Sequence, residues 1–541
     1  MTEPAVVLYD TTLRDGMQGF GMQLSVDQKL QLARRLDRLG VAYVEGGWPG
    51  ANPRDTALFE RLRRAPLATA RLAAFGATCR PGARAEEDSG LRLTLDAGAE
   101  VVTLVGKASR WQAETVLRTT AGENLRMVHD SVAHAVARGH HVVFDAEHFF
   151  DGVAGERGDA AYALAVLEAA LAAGAAWLVL CDTNGGQLVP AVARGVAAAR
   201  ERVGDRLGIH CHNDCGLAVA ASLAAVEAGA RMVQGTLNGC GERCGNADLV
   251  VVAANCELKL GRPALPAGHA AELVAVSRTF DALVNRAPDP HRPYVGPAAF
   301  LHKGGLHAQG MARHPLAYQH VDPLRVGNRS RTVVSDQSGR SNIAAKLREL
   351  GLADLDPEAR GRLVHRLKGL EAAGWAFEDA DASFELLVRR EQPGDQPPFA
   401  LREVLVVARQ ETRPDLPARQ SVETSVKLEV RGALVHTAAE GAGPVEALDL
   451  ALRRALVPHV PQLAQVRLVD YRVRVIDGDR GTGATVRVGI DSSDGEALWT
   501  TVGCSGNILH ASALALVDGY EWAARHRGAG QLRSPRMELG A

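Results

Sequence analysis

At 541 residues, with 46% hydrophobic and 23% charged side chains, the chain has the balance of a globular protein and the length for two or three cores. Lys plus Arg number 61 against 63 for Asp plus Glu, and this net charge of −2 removes any electrostatic reason to expect nucleic acid or an anionic membrane as partner. No stretch approaches the ~20 apolar residues of a membrane span, no leader precedes the first strand-like run, and eight scattered cysteines read as reduced thiols, so a cytoplasmic location is expected.

In chain order, apolar runs predict strands at 6–10, 41–45, 72–76, 101–105, 142–146, 177–181, 207–211 and 232–237. Helix-like stretches lie between them, among them 25–39, 122–137, 160–173, 189–202 and 217–228. The first of these has a cap signal in Ser25 with Gln28 three residues on, and a stop in Gly40. Such alternation over the length of a complete barrel predicts an α/β (β/α)8 TIM barrel for residues 1–284. No dinucleotide glycine fingerprint follows strand one, which runs instead into Leu13-Arg14-Asp15-Gly16. Pro288, Pro290, Pro293 and Pro297 open a helical connector over 285–392, and the Pro-rich stretch 391–398 reads as a linker. The tail, 399–541, looks duplicated: three strand-like segments and a helix, twice over, predict a C-terminal α+β regulatory domain of two βββα units.

Chemistry-bearing residues collect where barrel strands end, the face on which barrel active sites are built. Arg14-Asp15 follows strand one, His210-Cys211-His212 lies on strand seven, and Asn246 follows strand eight. Side chains alternate along a strand, so His210 and His212 face the same way. Two imidazoles, the Asp15 carboxylate and the Asn246 amide oxygen make a ligand set for Mn, Mg, Co or Zn, with room for a chelating 2-oxo acid. A lone strand-end histidine is more often a hydrogen-bonded structural residue, and an Arg-Asp pair alone is usually a salt bridge; the convergence of three strands favours the metal. The Cys-x3-Cys spacings 211/215 and 240/244 offer a structural zinc site as the competing reading, but they interleave with the better ligands.

Asp10-Thr11-Thr12-Leu13-Arg14-Asp15-Gly16-Met17-Gln18 and His210-Cys211-His212-Asn213-Asp214-Cys215-Gly216 together resemble the two signatures of the 2-isopropylmalate synthase/homocitrate synthase/citramalate synthase family. The segments 45–53, 147–152, 181–186 and 380–387 are most similar to its long citramalate-forming branch. The resemblance implies that acetyl-CoA condenses with a 2-oxo acid, pyruvate in that branch and 2-oxoisovalerate in the 2-isopropylmalate branch. It implies a divalent metal on Asp15, His210, His212 and Asn246, with Arg14 on the oxo acid, Thr183 on its carboxylate and Glu147 as a catalytic carboxylate. It also implies a His307–Tyr318 pair reaching into the partner of an obligate homodimer, and a regulatory tail with isoleucine as effector. Asp145, two residues before Glu147 on the same strand face, stands where an apolar or aromatic wall would select pyruvate more directly. A 3-hydroxy-3-methylglutaryl-CoA lyase would leave the connector and tail unexplained. A metal-dependent amidohydrolase would carry its His-x-His on strand one, and a dead amino-acid sensor would not need the intact catalytic set.

Overall fold

The computed structural model describes residues 5–154, 157–302, 305–332, 340–413 and 416–527. Lys303 and Gly304, beside His307 in sequence, and residues 528–541 of the expected tail domain lie outside the described residues. The chain forms two compact units, one running to Phe300 and taking in Val321–Ser330, the other comprising Leu301–His320 and the chain from Arg331 onward.

The first unit is a closed parallel barrel of β1 (Val7–Asp10), β2 (Tyr43–Gly47), β3 (Arg71–Ala77), β4 (Val101–Lys107), β5 (His141–Glu147), β6 (Trp177–Asp182), β7 (Leu207–Cys211) and β8 (Met232–Gly235). Closure is made by β1 lying parallel to β8, with Val7 opposite Met232 and Asp10 opposite Gly235. Between and after the strands run α1 (Val26–Leu39), α2 (Pro53–Arg64), α3 (Ser89–Leu95), α4 (Ala121–Ala137), α5 (Phe149–Ala154) and α6 (Ala160–Ala172). They are followed by α7 (Val189–Val203), α8 (Ala218–Ala228), α9 (Leu249–Leu258) and α10 (Leu273–Leu283). The expected cap of α1 forms: Ser25 accepts from the Gln28 N–H while the Gln28 side chain accepts from the Ser25 N–H, and Gly40 closes the helix at φ +92°.

The barrel interior changes character along its strands. One layer is apolar, with Tyr43, Ala73, Val101, Val143, Val179 and Met232 packed together. One pleat further on the same strands, Glu45, Thr103, Asp145 and Gln234 point inward, with His210 on β7, and all are buried. The proline-marked segment after α10 packs on the barrel: Arg292 donates to the Asn238 carbonyl at 2.8 Å and to Asp248 at 3.0 Å, and Tyr294 donates to Asn255 at 2.9 Å.

The second unit begins with β9 (Leu301–His302), α11 (Gly305–Arg313), β10 (Arg331–Thr332), α12 (Arg340–Glu349), α13 (Pro357–Ala372) and α14 (Asp381–Arg389). The duplicated tail follows as an antiparallel sheet of β11 (Phe399–Arg413), β12 (Leu416–Val430) and β13 (Ala433–Gly441), with α15 (Pro444–Leu456). Its second half repeats the plan in β14 (Arg467–Val475), β15 (Val486–Ser493), β16 (Leu498–Ser505) and α16 (Ile508–Arg527). One core spans both halves, joining Val426 and Leu452 to Val488, Trp499 and Tyr520. The β11–β12 ladder runs well beyond the apolar runs at 401–408 and 421–430 that mark these strands in the sequence, pairing Phe399 with Val430 at one end and Arg413 with Leu416 at the other.

Helix α14, which the sequence places before the linker, is tied to the tail. Ser383 donates to Asp518 at 2.7 Å and accepts from the Val502 N–H, Trp522 donates to Glu385 at 2.8 Å, and Arg390 bridges Asp518 and Glu521 at 2.8 and 2.7 Å. The 391–398 stretch is pinned as well, because Arg525 grips both Asp395 oxygens at 2.9 Å. Among the described residues no helix is long and apolar enough to cross a membrane, and all eight cysteines are free.

Candidate active site

The loops after β1 and β8 are built together. Buried Asp10 accepts from the Thr12 N–H and hydroxyl, both at 2.9 Å, and the Thr12 hydroxyl accepts from the Leu237 N–H at 2.8 Å. Burial pushes the Asp10 carboxyl up to about 7 against these bonds. After β8, Gly241 has φ +150°, and a Cβ there would lie 2.2 Å from Asn246 Nδ2, so only glycine leaves Asn246 its seat. Asn246 in turn forms a bridge with His212, bringing the β7 and β8 loops side by side.

Asp15, His210 and His212 present ligand atoms all within 4.8 Å of one another, and all three are buried. The two imidazole Nε2 atoms are 3.3 Å apart, and His210 Nε2 is 3.8 Å from Asp15 Oδ2. Asn246 Nδ2 donates to Asp15 Oδ1 at 2.8 Å and to the Cys240 carbonyl at 3.2 Å, which aims its Oδ1 elsewhere; that oxygen is buried with no partner, as is His212 Nδ1. An unpaired buried polar atom costs about 1–3 kcal/mol. Burial alone would raise the Asp15 carboxyl, but the Arg14 guanidinium, with His210 and His212, holds it down at about 2. Burial and the neighbouring His212 lower His210 to about 4, and burial lowers His212. An ionised carboxylate, two neutral imidazoles and an orphaned amide oxygen are the states in which these groups donate electron pairs, so the donor set fits a divalent ion.

Arg14 is held on three sides. Its Nε donates to Glu45 Oε2 at 2.6 Å, its Nη1 donates to Asp15 Oδ2 at 2.8 Å, and its guanidinium carbon lies 3.9 Å from the Phe75 ring centroid. Glu45 is in turn fixed by the Tyr9 hydroxyl, 2.9 Å from Oε1, which lies 2.6 Å from Thr103 Oγ1. Burial pushes Glu45 up and its Arg14 partner pulls it back, with the net direction upward.

Of the other expected residues, Glu147 closes β5 and is ion-paired with Lys107 at the end of β4. The Thr183 hydroxyl accepts from the His148 N–H at 2.8 Å, leaving its own proton free to donate. Arg243, paired with Asp214, also donates to the Thr183 carbonyl at 2.8 Å. His307 and Tyr318 belong to the second unit, where their rings stack at 4.1 Å and 14°. The stack relies on Gly310, where a Cβ would come within 2.5 Å of the Tyr318 ring. Cys211 and Cys240 are buried, and burial pushes both thiols up; Cys215 and Cys244 are exposed. Among the described residues the cysteines form no cluster of metal-ligand spacing.

Sequence reasoning missed Glu45 as the brace of Arg14, Lys107 as the partner of Glu147, and Gln234. Gln234 Oε1 is 2.9 Å from His210 Nδ1, and Gln234 Nε2 donates to Asp145 Oδ1 at 2.9 Å. Burial, with Glu45 nearby, pushes Asp145 up to about 8. The legible signal was a polar residue at an inward position of an otherwise apolar strand.

Three family models match the chain: HMGL-like over residues 5–279, homocitrate synthase post-HMGL domain-like over 294–374, and LeuA allosteric (dimerisation) domain over 378–523. Among curated proteins, the chain is similar to the (R)-citramalate synthase of Synechocystis sp., at 47% identity over 96% of both chains. It is 49% identical to that of Streptomyces coelicolor over 96% of this chain and 97% of the relative. With that of Aquifex aeolicus it shares 43% over 95% and 96%.

Proposed function

The chain belongs to the HMGL-like family and, within it, to the (R)-citramalate synthases, and from that premise we propose how its barrel mouth performs the reaction. Acetyl-CoA, pyruvate and water become (R)-citramalate and CoA, an acyl transfer in which the acetyl group ends as an alkyl group. The observation that carries the site assignment is the convergence of Asp15, His210 and His212 at the mouth, with Asn246 hydrogen-bonded to Asp15 through Nδ2 and its buried Oδ1 without a partner, the oxygen that turning the amide over would offer to an ion.

Arg14 binds the oxo acid and stabilises the alkoxide that develops on its former carbonyl oxygen, its guanidinium already oriented by Glu45, Asp15 and Phe75. Thr183 donates its free hydroxyl proton to the substrate carboxylate. A divalent ion held by Asp15, His210, His212 and Asn246 supplies Lewis-acid polarisation of the oxo carbonyl when bound. The acetyl methyl gives up its proton to Glu147 or to His307 assisted by Tyr318, and water then cleaves the thioester of citramalyl-CoA. The stacked His307–Tyr318 pair acts from the partner subunit of a homodimer. The tail, which matches an allosteric model, takes an amino-acid effector, isoleucine in our reading.

The test is kcat/KM for pyruvate against 2-oxoisovalerate, followed by CoA release at saturating acetyl-CoA. A preference for pyruvate of about 100-fold is expected, because excluding a branched chain is a matter of steric fit. Preference for 2-oxoisovalerate would move the chain to the 2-isopropylmalate branch. Exchange of the acetyl methyl protons with deuterated solvent, compared in Glu147→Gln and His307→Asn, identifies the base by which variant loses it.

A further inference from the structure

We infer that Asp145 is a positioning residue for His210, acting through the Gln234 amide, and not a wall of the oxo-acid pocket. The three side chains come from β5, β8 and β7 and meet inside the barrel, and all are buried, Gln234 completely. Gln234 reaches both neighbours at 2.9 Å, Nε2 toward Asp145 Oδ1 and Oε1 toward His210 Nδ1.

An amide has one donating and one accepting end, so fixing one end fixes the other. Asp145 Oδ1, in a carboxylate or in the carbonyl of a neutral carboxyl, is the acceptor that engages Nε2. Oε1 is thereby left facing the imidazole, and it can only accept. Nδ1 must then carry the single proton of the neutral ring, and Nε2 keeps its lone pair. Nε2 is the atom 3.3 Å from His212 Nε2 and 3.8 Å from Asp15 Oδ2, where the candidate ligands converge. Without Asp145 the amide is free to turn over, present Nε2 to Nδ1, and drive the proton onto the ligand nitrogen. Fixing a ligand histidine through the hydrogen bond on its other nitrogen is a general device of metal sites. The arrangement also removes the difficulty of a carboxyl beside an apolar methyl group, because Asp145 has its own partner on β8.

The inference rests on the metal reading above, and the test separates the two. Metal-stripped full-length protein is titrated with Mn2+ without substrate, free ion being counted by electron paramagnetic resonance, and the histidine tautomers are read from 15N spectra of the metal-free protein. Asp145→Leu should weaken Mn2+ binding about 10–100-fold and mix the His210 tautomers, and Gln234→Met should do the same. Asp145→Asn can offer its oxygen to Nε2 or its NH2 to Oε1, so it fixes neither orientation and should mix the His210 tautomers, with Mn2+ affinity between the parent and Asp145→Leu. Circular dichroism and melting confirm that the variants fold, and the Met and Asn substitutions carry the test if the Leu variant does not. Parental Mn2+ affinity in Asp145→Leu, with a changed pyruvate to 2-oxoisovalerate ratio, would make Asp145 a pocket wall and overturn the inference. A parent that binds no Mn2+ overturns the metal reading, while the tautomer spectra still decide the relay.

Discussion

Replacing Glu45 by glutamine removes one charge and no heavy-atom contact from the frame around Arg14. The carboxylate accepts from Arg14 Nε at 2.6 Å and from the Tyr9 hydroxyl at 2.9 Å, and the Tyr9 hydroxyl also has Thr103 Oγ1 at 2.6 Å. In Glu45→Gln the amide oxygen still accepts from Arg14. Its NH2 donates to the Tyr9 oxygen, whose proton turns to Thr103. Every bond survives, and the Arg14 bond stays charge-assisted by its own guanidinium; what is lost is the carboxylate charge at the Tyr9 bond, the difference between a bond to a charged group, about 1.5–3 kcal/mol, and a neutral one, about 0.5–1.5. That difference of about 1–1.5 kcal/mol corresponds to roughly tenfold in kcat/KM for the oxo acid. Glu45→Ala deletes both bonds and leaves a buried guanidinium nitrogen unpaired, so a loss on the order of 100-fold or more is expected. The assay is steady-state CoA release with pyruvate varied and both proteins shown to melt cooperatively. Parental activity in Glu45→Gln would mean that Asp15 and Phe75 suffice to orient Arg14. Equal losses in the two variants would mean that the charge alone matters and the hydrogen-bond frame does not, and either result refutes the reasoning.

Exhaustive chelation should abolish CoA release and Mn2+ should restore it, whereas His212→Ala should stay inactive with added metal and an unchanged circular dichroism spectrum. Asp37 accepts three backbone N–H bonds, from Ala68, Thr69 and Ala70, at 2.7–2.8 Å, and despite burial these hold its carboxyl below the ordinary 3.8. Its stabilisation is therefore full above pH 3.8 and lost as pH falls through the lower folded value. Asp37→Asn should cost about 2 kcal/mol at pH 7, and the gap to the parent in denaturant titrations should narrow toward pH 2.5. Arg390→Met strips the cationic partner from Asp518, leaving it only the Ser383 hydroxyl, and should lower the stability of the second unit by about 2–3 kcal/mol, read as a shifted melting transition with KM for pyruvate unchanged.

What the sequence made legible were features with a local signature. Barrel strands declared themselves by apolar runs, α1 by its cap and glycine, and the ligand face by the period-two spacing of His210 and His212. Residues whose meaning lies in a distant partner did not. Glu45 reads as a charge in a strand until Arg14 and Tyr9 close on it, and Gln234 reads as an interruption until Asp145 and His210 flank it. Asp145 looked like a poor pocket wall because its amide partner sits 89 positions away. The break at 391–398 was visible in composition, but composition could not foretell that Asp395 grips Arg525 or that α14 seats its polar residues on α16. The length of the β11–β12 ladder was likewise hidden, since Arg, Gln and Glu at 409–413 weaken the apolar alternation that marks a strand.

The candidate ligands gather at the seam where the first strand of the barrel meets the last. Asp15 and Asn246 are 231 positions apart and hydrogen-bonded, and His210 and His212 come from the strand next to the seam. An open sheet of all eight strands would contain all four residues and no site. On the proposed reading, a divalent ion would find its ligands together only once β1 and β8 are paired, which would make metal uptake a reporter of barrel closure. A cation that binds the closed form alone would also act as a rivet across that joint, holding it by about 2.7 kcal/mol at a free concentration 100 times Kd. Chelators should accordingly hasten the opening of the seam and leave the rate of its closure unchanged.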